Sequence, residues 1–238
     1  MENYLNVFSD PAFLQAIMNT SIFTFGTVPI TTALALFLAV MLNDLPKFQN
    51  IFRSSYFLPS VTSLVVISLI FTNLYIKDGY INSLLEMSGM PYPEKGWLLE
   101  PSTALLSIMA MDVWIAAGYY MVLFLSAMQS ISKDLYDNAD LFGASNWTKF
   151  RKITLPLIKP TLLFVLVINT IKSFQIFIEI YVMTKGGPLG NTTTLVYMVF
   201  DKAFNQFDQV GYASAVAYIL FMILILLSLI QTRLLREK

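Results

Sequence analysis

Five apolar stretches, near residues 15–42, 51–75, 102–128, 161–184 and 209–232, are each long enough to cross a hydrocarbon layer, and no other feature restricts the fold so tightly. A bilayer core of about 30 Å takes roughly 20 helical residues. The chain has 238 residues, of which 13% are charged, so too little polar sequence is left to wrap five such stretches as the buried helices of a water-soluble domain. The expected fold is an all-α polytopic membrane protein. Residues 1–238 form a single transmembrane domain in this reading, and the connector at 132–160 is long enough to do something of its own.

The connectors assign sides, because lysine and arginine gather in the cytoplasmic loops of short-looped membrane proteins. Lys47 and Arg53 flank the first connector. Lys133, Lys149, Arg151, Lys152 and Lys159 fall in the long third one, and Arg233, Arg236 and Lys238 close the chain. The opposite side carries Lys77, Lys95, Lys185 and Lys202, interspersed with Asp78, Glu86, Glu94, Glu100, Asp201 and Asp208. This asymmetry predicts a multi-pass membrane protein with residues 132–160 and the C-terminus in the cytoplasm. Five spans then leave the N-terminus outside. Met1 to Phe13 contains neither the basic start nor the apolar run of a signal peptide. The outer connector at 185–208 opens with the turn Lys185-Gly186-Gly187-Pro188, and Thr194 to Phe207 reads as a short interfacial helix.

Composition removes several classes of function. Fifteen basic residues equal fifteen acidic ones, which gives no concentrated basic surface and no reason to expect a nucleic-acid partner; membrane lipid is the expected surrounding. Cysteine and histidine are both absent, so thiolate nucleophiles, imidazole bases and the usual zinc or iron ligand sets are unavailable, and no cofactor is expected. No Gly-x-x-x-x-Gly-Lys-Ser/Thr run occurs, so the chain is not expected to hydrolyse a nucleotide itself.

Ionisable side chains inside a bilayer are costly and point to a cavity or a partner. Asp112, Lys172 and Glu179 are such residues. Asp112, Ala116 and Tyr119 follow the i, i+4, i+7 spacing of one helix face, and Asn169, Lys172, Ser173 and Glu179 fall along one side of another. Two readings stay open for Asp112 and Lys172: they line a shared cavity, or they neutralise each other across two helices. The adjacent Lys172 and Ser173 make a poor hydrolytic dyad, since neighbouring residues on a helix point in different directions.

The third connector has the pattern of two short helices. Asp134 to Phe142 can form the first, Gly143 can take the left-handed conformation that ends it, and Ser145 or Asn146 can start the second. Leu135, Ala139 and Phe142 fall on one face of the first helix; Trp147, Phe150 and Ile153 lie near one another on the second.

The run Tyr136-Asp137-Asn138-Ala139-Asp140-Leu141-Phe142-Gly143-Ala144-Ser145, followed by Phe150, Ile153-Thr154-Leu155-Pro156 and Pro160, resembles the EAA loop of ABC importer permeases. Asp137 stands where that loop usually has glutamate, Asn138 where it has alanine, and Phe142 where it has aspartate. Gly186-Gly187-Pro188, Thr194-Leu195-Val196-Tyr197, Ala203-Phe204 and Gly211-Tyr212-Ala213-Ser214-Ala215 resemble the branch that serves maltose-type carbohydrate importers. The resemblance implies a type I importer transmembrane domain, multi-pass in a bacterial cytoplasmic membrane and working by alternating access. Asp137, Asn138, Ala139, Gly143 and Ala144 would couple it to the ATPase. Asp112, Tyr119, Asn169, Lys172 and Ser173, with Ser60 nearby, would meet the sugar. The implied partners are a second permease subunit, two copies of an ATP-binding subunit and an extracytoplasmic sugar-binding protein. The competing expectation is a stand-alone secondary transporter or channel, which would show pairs of broken helices and internal repeats. Members of the branch usually begin with one more membrane helix. Its absence here leads to the expectation that the start read as Met1 is late, and that helix would return the N-terminus to the cytoplasm.

Overall fold

The computed structural model describes residues 2–45, 49–206 and 208–235. Lys47, Phe207, Arg236 and Lys238, used in the reading above, lie outside the described residues. The described chain is helical throughout: α1 (Glu2–Ser9), α2 (Pro11–Asn43), α3 (Gln49–Val61), α4 (Leu64–Leu74), α5 (Tyr80–Met87), α6 (Ala104–Gln129), α7 (Lys133–Leu141), α8 (Asn146–Lys149), α9 (Leu155–Leu157), α10 (Lys159–Phe174), α11 (Ile178–Met183), α12 (Leu195–Phe200) and α13 (Val210–Leu235). Two π-helical turns, Phe150–Thr154 and Asp201–Asn205, join α8 to α9 and extend α12.

Among the described residues four helical segments are long and apolar enough to cross a membrane: α2, α6, the α10–α11 segment and α13. The second apolar stretch is different. It is divided into α3 and α4, which meet at an angle of 94°, so it is a fifth span only if this bent pair counts as one. Local chemistry breaks the helix there. Pro59 supplies no amide hydrogen, and the hydroxyls of Ser60 and Thr62 turn back onto the carbonyls of Phe57 and Leu58 at 2.7 and 2.9 Å. Ser63 is extended, with φ −55° and ψ 122°, and the helix restarts at Leu64.

The α10–α11 segment is interrupted as well, at Gln175 to Phe177. Irregular backbone at membrane depth persists only where protein buries it or where it lines a polar cavity. Both breaks meet that condition, because Ser60, Thr62, Gln175, Ile176 and Phe177 all line the cavity described below.

The core is built around α2, which lies alongside α6 and α10. Asp10 caps α2 by accepting from the Ala12 amide at 2.8 Å, and Pro11 occupies the first turn, where no amide hydrogen is needed. Ala35, Ala39 and Leu42 of α2 pack with Tyr120, Phe124 and Met128 of α6 and Val165 of α10. Gly118 lets α6 approach α3 closely: a Cβ there would run into the Tyr56 carbonyl. Helix α1, not anticipated from the sequence, packs Val7 into a second cluster with Phe13, Leu195 and Val216.

The short helix expected after Thr194 is present as α12 with its π-helical extension. The turn before it is fixed from α2, where the Asn19 amide donates to the carbonyls of Gly190 and Thr193, each at 2.9 Å. Gly187-Pro188 is cis.

Candidate translocation cavity and docking elbow

The two polar stripes face one space. A cavity of about 540 Å³ is lined by Ser60 from α3, by Asp112 and Tyr119 from α6, by Asn169, Lys172 and Ser173 from α10, and by Glu179 from α11. All seven residues singled out from the sequence as pathway candidates therefore border the same volume. Helical geometry accounts for the grouping: positions 112, 116 and 119 share one face of α6, and 169, 172 and 173 share one face of α10. The break after Phe174 starts a new short helix, and Glu179 falls in its first turn, where the unpaired amides of a helix end favour a carboxylate.

Within this cavity the charges do not pair in the simplest way. The Lys172 ammonium lies over the Tyr119 ring, 4.9 Å from its centroid. Among the described residues no salt bridge within 4 Å joins Lys172 to Asp112. Of the two readings left open by the sequence, mutual neutralisation by direct contact is thus not the arrangement adopted. Ser173 is buried and its hydroxyl lies 3.4 Å from that of Thr27 on α2, so it faces a neighbouring helix rather than its own neighbour Lys172.

The sequence reading missed several lining residues: Phe23, Thr62, Tyr120, Gln175 and Phe177. Thr62 was signalled by the Pro59-Ser60-Val61-Thr62-Ser63 run, since a proline followed by hydroxyl residues in an apolar stretch marks a break. Gln175 and Phe177 could not be found from periodicity, because the break takes them off the helical phase. Among the described residues no group of three or more acidic side chains is gathered closely enough to hold a metal ion.

The connector after α6 folds into the two-helix elbow that its sequence predicts. Ser132 caps α7 by accepting from the Asp134 amide at 3.3 Å, and Ser145 caps α8 by accepting from the Thr148 amide at 3.3 Å. Gly143 takes φ +70°, the left-handed conformation that glycine adopts without cost, and the Ala144 amide donates to the Ala139 carbonyl at 3.0 Å to close α7.

Lys149 bridges the two arms with a 2.8 Å ion pair to Asp140, Tyr136 meets Thr154 hydroxyl to hydroxyl at 2.8 Å, and Trp147 stacks on Phe150. Of the five coupling candidates, Asp137, Asn138 and Gly143 are exposed, while Ala139 and Ala144 are half-buried. The expected apolar face of α7 is divided: Ala139 turns partly inward, whereas Leu135 and Phe142 are exposed. Leu141, Phe142 and Trp147, 84%, 90% and 67% exposed, form the outward apolar tip of the elbow. Such large uncovered side chains at a polar end of a bundle mark a protein interaction surface.

A helical bundle of four to five spans around a polar, membrane-level cavity, carrying a structured elbow at one end, defines a membrane translocation subunit. The model of the family described as "Binding-protein-dependent transport system inner membrane component" matches residues 7–237, and the chain belongs to that family, the permeases of ABC transporters. It is 36% identical to the lactose transport system permease protein LacF of Rhizobium radiobacter, over 99% of this chain and 80% of that protein. To the trehalose/maltose transport system permease protein MalF of Thermococcus litoralis it is 30% identical, over 98% of this chain and 78% of that one. A crystal structure of a bacterial ABC transporter involved in the import of the acidic polysaccharide alginate shares the fold, with a TM-score of 0.89 at 21% identity, over 99% of this chain and 83% of that one.

Proposed function

We infer that this chain forms half of the transmembrane pathway for a carbohydrate in an importer of the maltose-type branch, with alternating access driven by separate ATP-binding subunits. The observation that carries this reading is the convergence of hydroxyl, amide, carboxylate, ammonium and aromatic groups on one cavity inside an apolar bundle. A sugar leaving water loses hydrogen bonds at every hydroxyl and must recover them from its binding site. The proposed contacts are Ser60, Asp112, Tyr119, Asn169, Lys172, Ser173 and Glu179. LacF and MalF, named for lactose and for trehalose/maltose, support a sugar over other solutes.

The elbow is the proposed EAA loop, with Asp137, Asn138, Ala139, Gly143 and Ala144 as the coupling positions and the Leu141-Phe142 tip entering a cleft of the ATPase. Its place in the cytoplasm, together with the C-terminus, follows from the basic residues around it. The family description supports a solute-binding protein on the other side. The remaining proposed partners are a second permease, which closes the cavity, and two copies of the ATP-binding subunit.

One observation favours the stand-alone transporter: two spans are broken, as such a transporter would require. Family membership and the exposed elbow weigh against it. The test is uptake of labelled sugars by proteoliposomes holding the assembled importer and its binding protein. ATP-dependent uptake of a neutral oligosaccharide that falls at least tenfold in Asp112→Ala, with the complex still assembled, supports the reading. Uptake by this chain alone, driven by an ion gradient, refutes it.

A further inference from the structure

Helix α2 carries an unusual buried face. Thr20, Thr24, Thr27 and Thr31 recur at i, i+4, i+7 and i+11, each no more than 1% exposed. A threonine inside a membrane helix ordinarily satisfies its hydroxyl on the carbonyl four residues back, as Thr20 and Thr27 do on Ala16 and Phe23 at 2.8 Å. Among the described residues the Thr31 hydroxyl finds no hydrogen-bond partner, nor do those of Thr24 and Thr32 on the same helix. Four groups on other helices share this condition: the Ser68 hydroxyl of α4, the Gln231 side-chain oxygen of α13, the Tyr120 hydroxyl of α6 and the Asn169 side-chain nitrogen of α10; the last two, in residues 1% and 2% exposed, stand on the helices that flank α2.

Helix geometry brings Thr31, Tyr120 and Asn169 together. Thr27 meets Ser173 at 3.4 Å, α2 and α10 run antiparallel, and one turn further along each helix brings Thr31 level with Asn169. The next layer holds Ala35, Val165 and Tyr120 in one packed cluster. A helical side chain leans toward the N-terminus of its own helix, which brings the Tyr120 phenol back toward Thr31 and Asn169. Three unpaired polar groups thus converge at the junction of α2, α6 and α10, directly behind the cavity wall that Tyr120 and Asn169 help to form.

The geometry points to a resident water site at this junction, one that positions Asn169 for the substrate. A buried water typically makes about three hydrogen bonds to groups otherwise left unsatisfied. Here it would accept from the Asn169 nitrogen and from the Tyr120 hydroxyl and donate to the Thr31 oxygen. Held in this way, the Asn169 amide turns its nitrogen into the helix junction and its oxygen toward the cavity, as an acceptor for a sugar hydroxyl. Thr31 and Tyr120 are positioning residues that act through the water. The positioning role rests on the sugar-pathway reading; the water site does not.

The two parts are tested on the assembled importer in lipid nanodiscs. A cryo-EM map that resolves ordered water is expected to show a density peak within about 2.7–3.2 Å of all three atoms, lost in Thr31→Val. A map with no peak, and with the hydroxyls rotated onto helix carbonyls, overturns the site whatever the importer carries. In uptake assays with a sugar that the wild type imports, Thr31→Val and Tyr120→Phe are each expected to raise the half-saturating concentration about fivefold, the effect of one neutral hydrogen bond, with the maximal rate little changed. Thr31→Ser is expected to restore it. An unchanged half-saturation in both variants, with the water peak present in the wild type, overturns the positioning role. Failure to import any sugar counts against the pathway reading and leaves the density test standing.

Discussion

Lys172 and Tyr119 form a cation–π pair across α10 and α6, with the ammonium 4.9 Å from the ring centroid. The cavity therefore holds its one cation on an aromatic face, and the Asp112 carboxylate is not tied up in a salt bridge with it.

The first prediction follows from that pair. An ammonium on an aromatic face contributes about 0.5–2 kcal/mol. Tyr119→Leu is expected to weaken sugar-dependent uptake by roughly 2- to 30-fold, whereas Tyr119→Phe, which keeps the ring, stays within about twofold of wild type. Lys172→Ala is expected to impair uptake while the chain still enters the membrane and assembles. Loss of the protein from the membrane in Lys172→Ala would return the pair to a purely structural role.

Gly118 offers a packing test. Any side chain there meets the Tyr56 carbonyl, and a backbone group cannot swing aside as a flexible side chain can. Gly118→Leu is expected to separate α3 from α6, at a cost of about 1–3 kcal/mol or more. Thermal unfolding of the purified complex should show a lowered midpoint, and Gly118→Ala a smaller shift in the same direction.

Much of this was legible beforehand, and the limits have physical causes. Apolar runs of about 20 residues reveal spans because no soluble alternative can hide them. The elbow was legible because its stops and starts are chemical: Gly143 ends α7, and Ser145 begins α8. The bend at Thr62 and Ser63 was not, since Pro59 signals a break but not a 94° turn. Helix α1 was missed because eight residues are too few to show a period, and its stability comes from packing on α13. In the cavity, residues on the regular faces of α6 and α10 were found and those at the two breaks were not. Tyr120 escaped because it falls outside the 112, 116, 119 spacing, although its ring meets that of Tyr119 edge to face at 5.2 Å.

The elbow makes a third prediction. Phe142 is 90% exposed and holds nothing together within this chain, so Phe142→Ser should leave membrane insertion unchanged. Retention of the ATP-binding subunit on the purified permease is expected to fall at least tenfold, as for a central contact whose loss costs about 1.4 kcal/mol or more. Full retention would move the contact away from this tip.

Asp10 supplies a fourth. It caps α2 through the Ala12 amide and accepts from the Tyr212 hydroxyl of α13 at 2.7 Å, so one side chain joins the N-terminal ends of α2 and α13. Asp10→Ala is expected to cost about 1–3 kcal/mol and to lower the melting midpoint by several degrees. Asp10→Asn, which keeps one acceptor oxygen where the carboxylate uses two, should lose less than Asp10→Ala.

The most direct measurement is affinity purification of this chain, tagged and mildly solubilised from its native membrane, with every co-purifying protein identified. The account predicts a second permease and an ATP-binding subunit, the latter at two copies per pair of permeases. Recovery of the chain alone, under conditions in which such complexes survive, would contradict the account and favour a transporter that works without them.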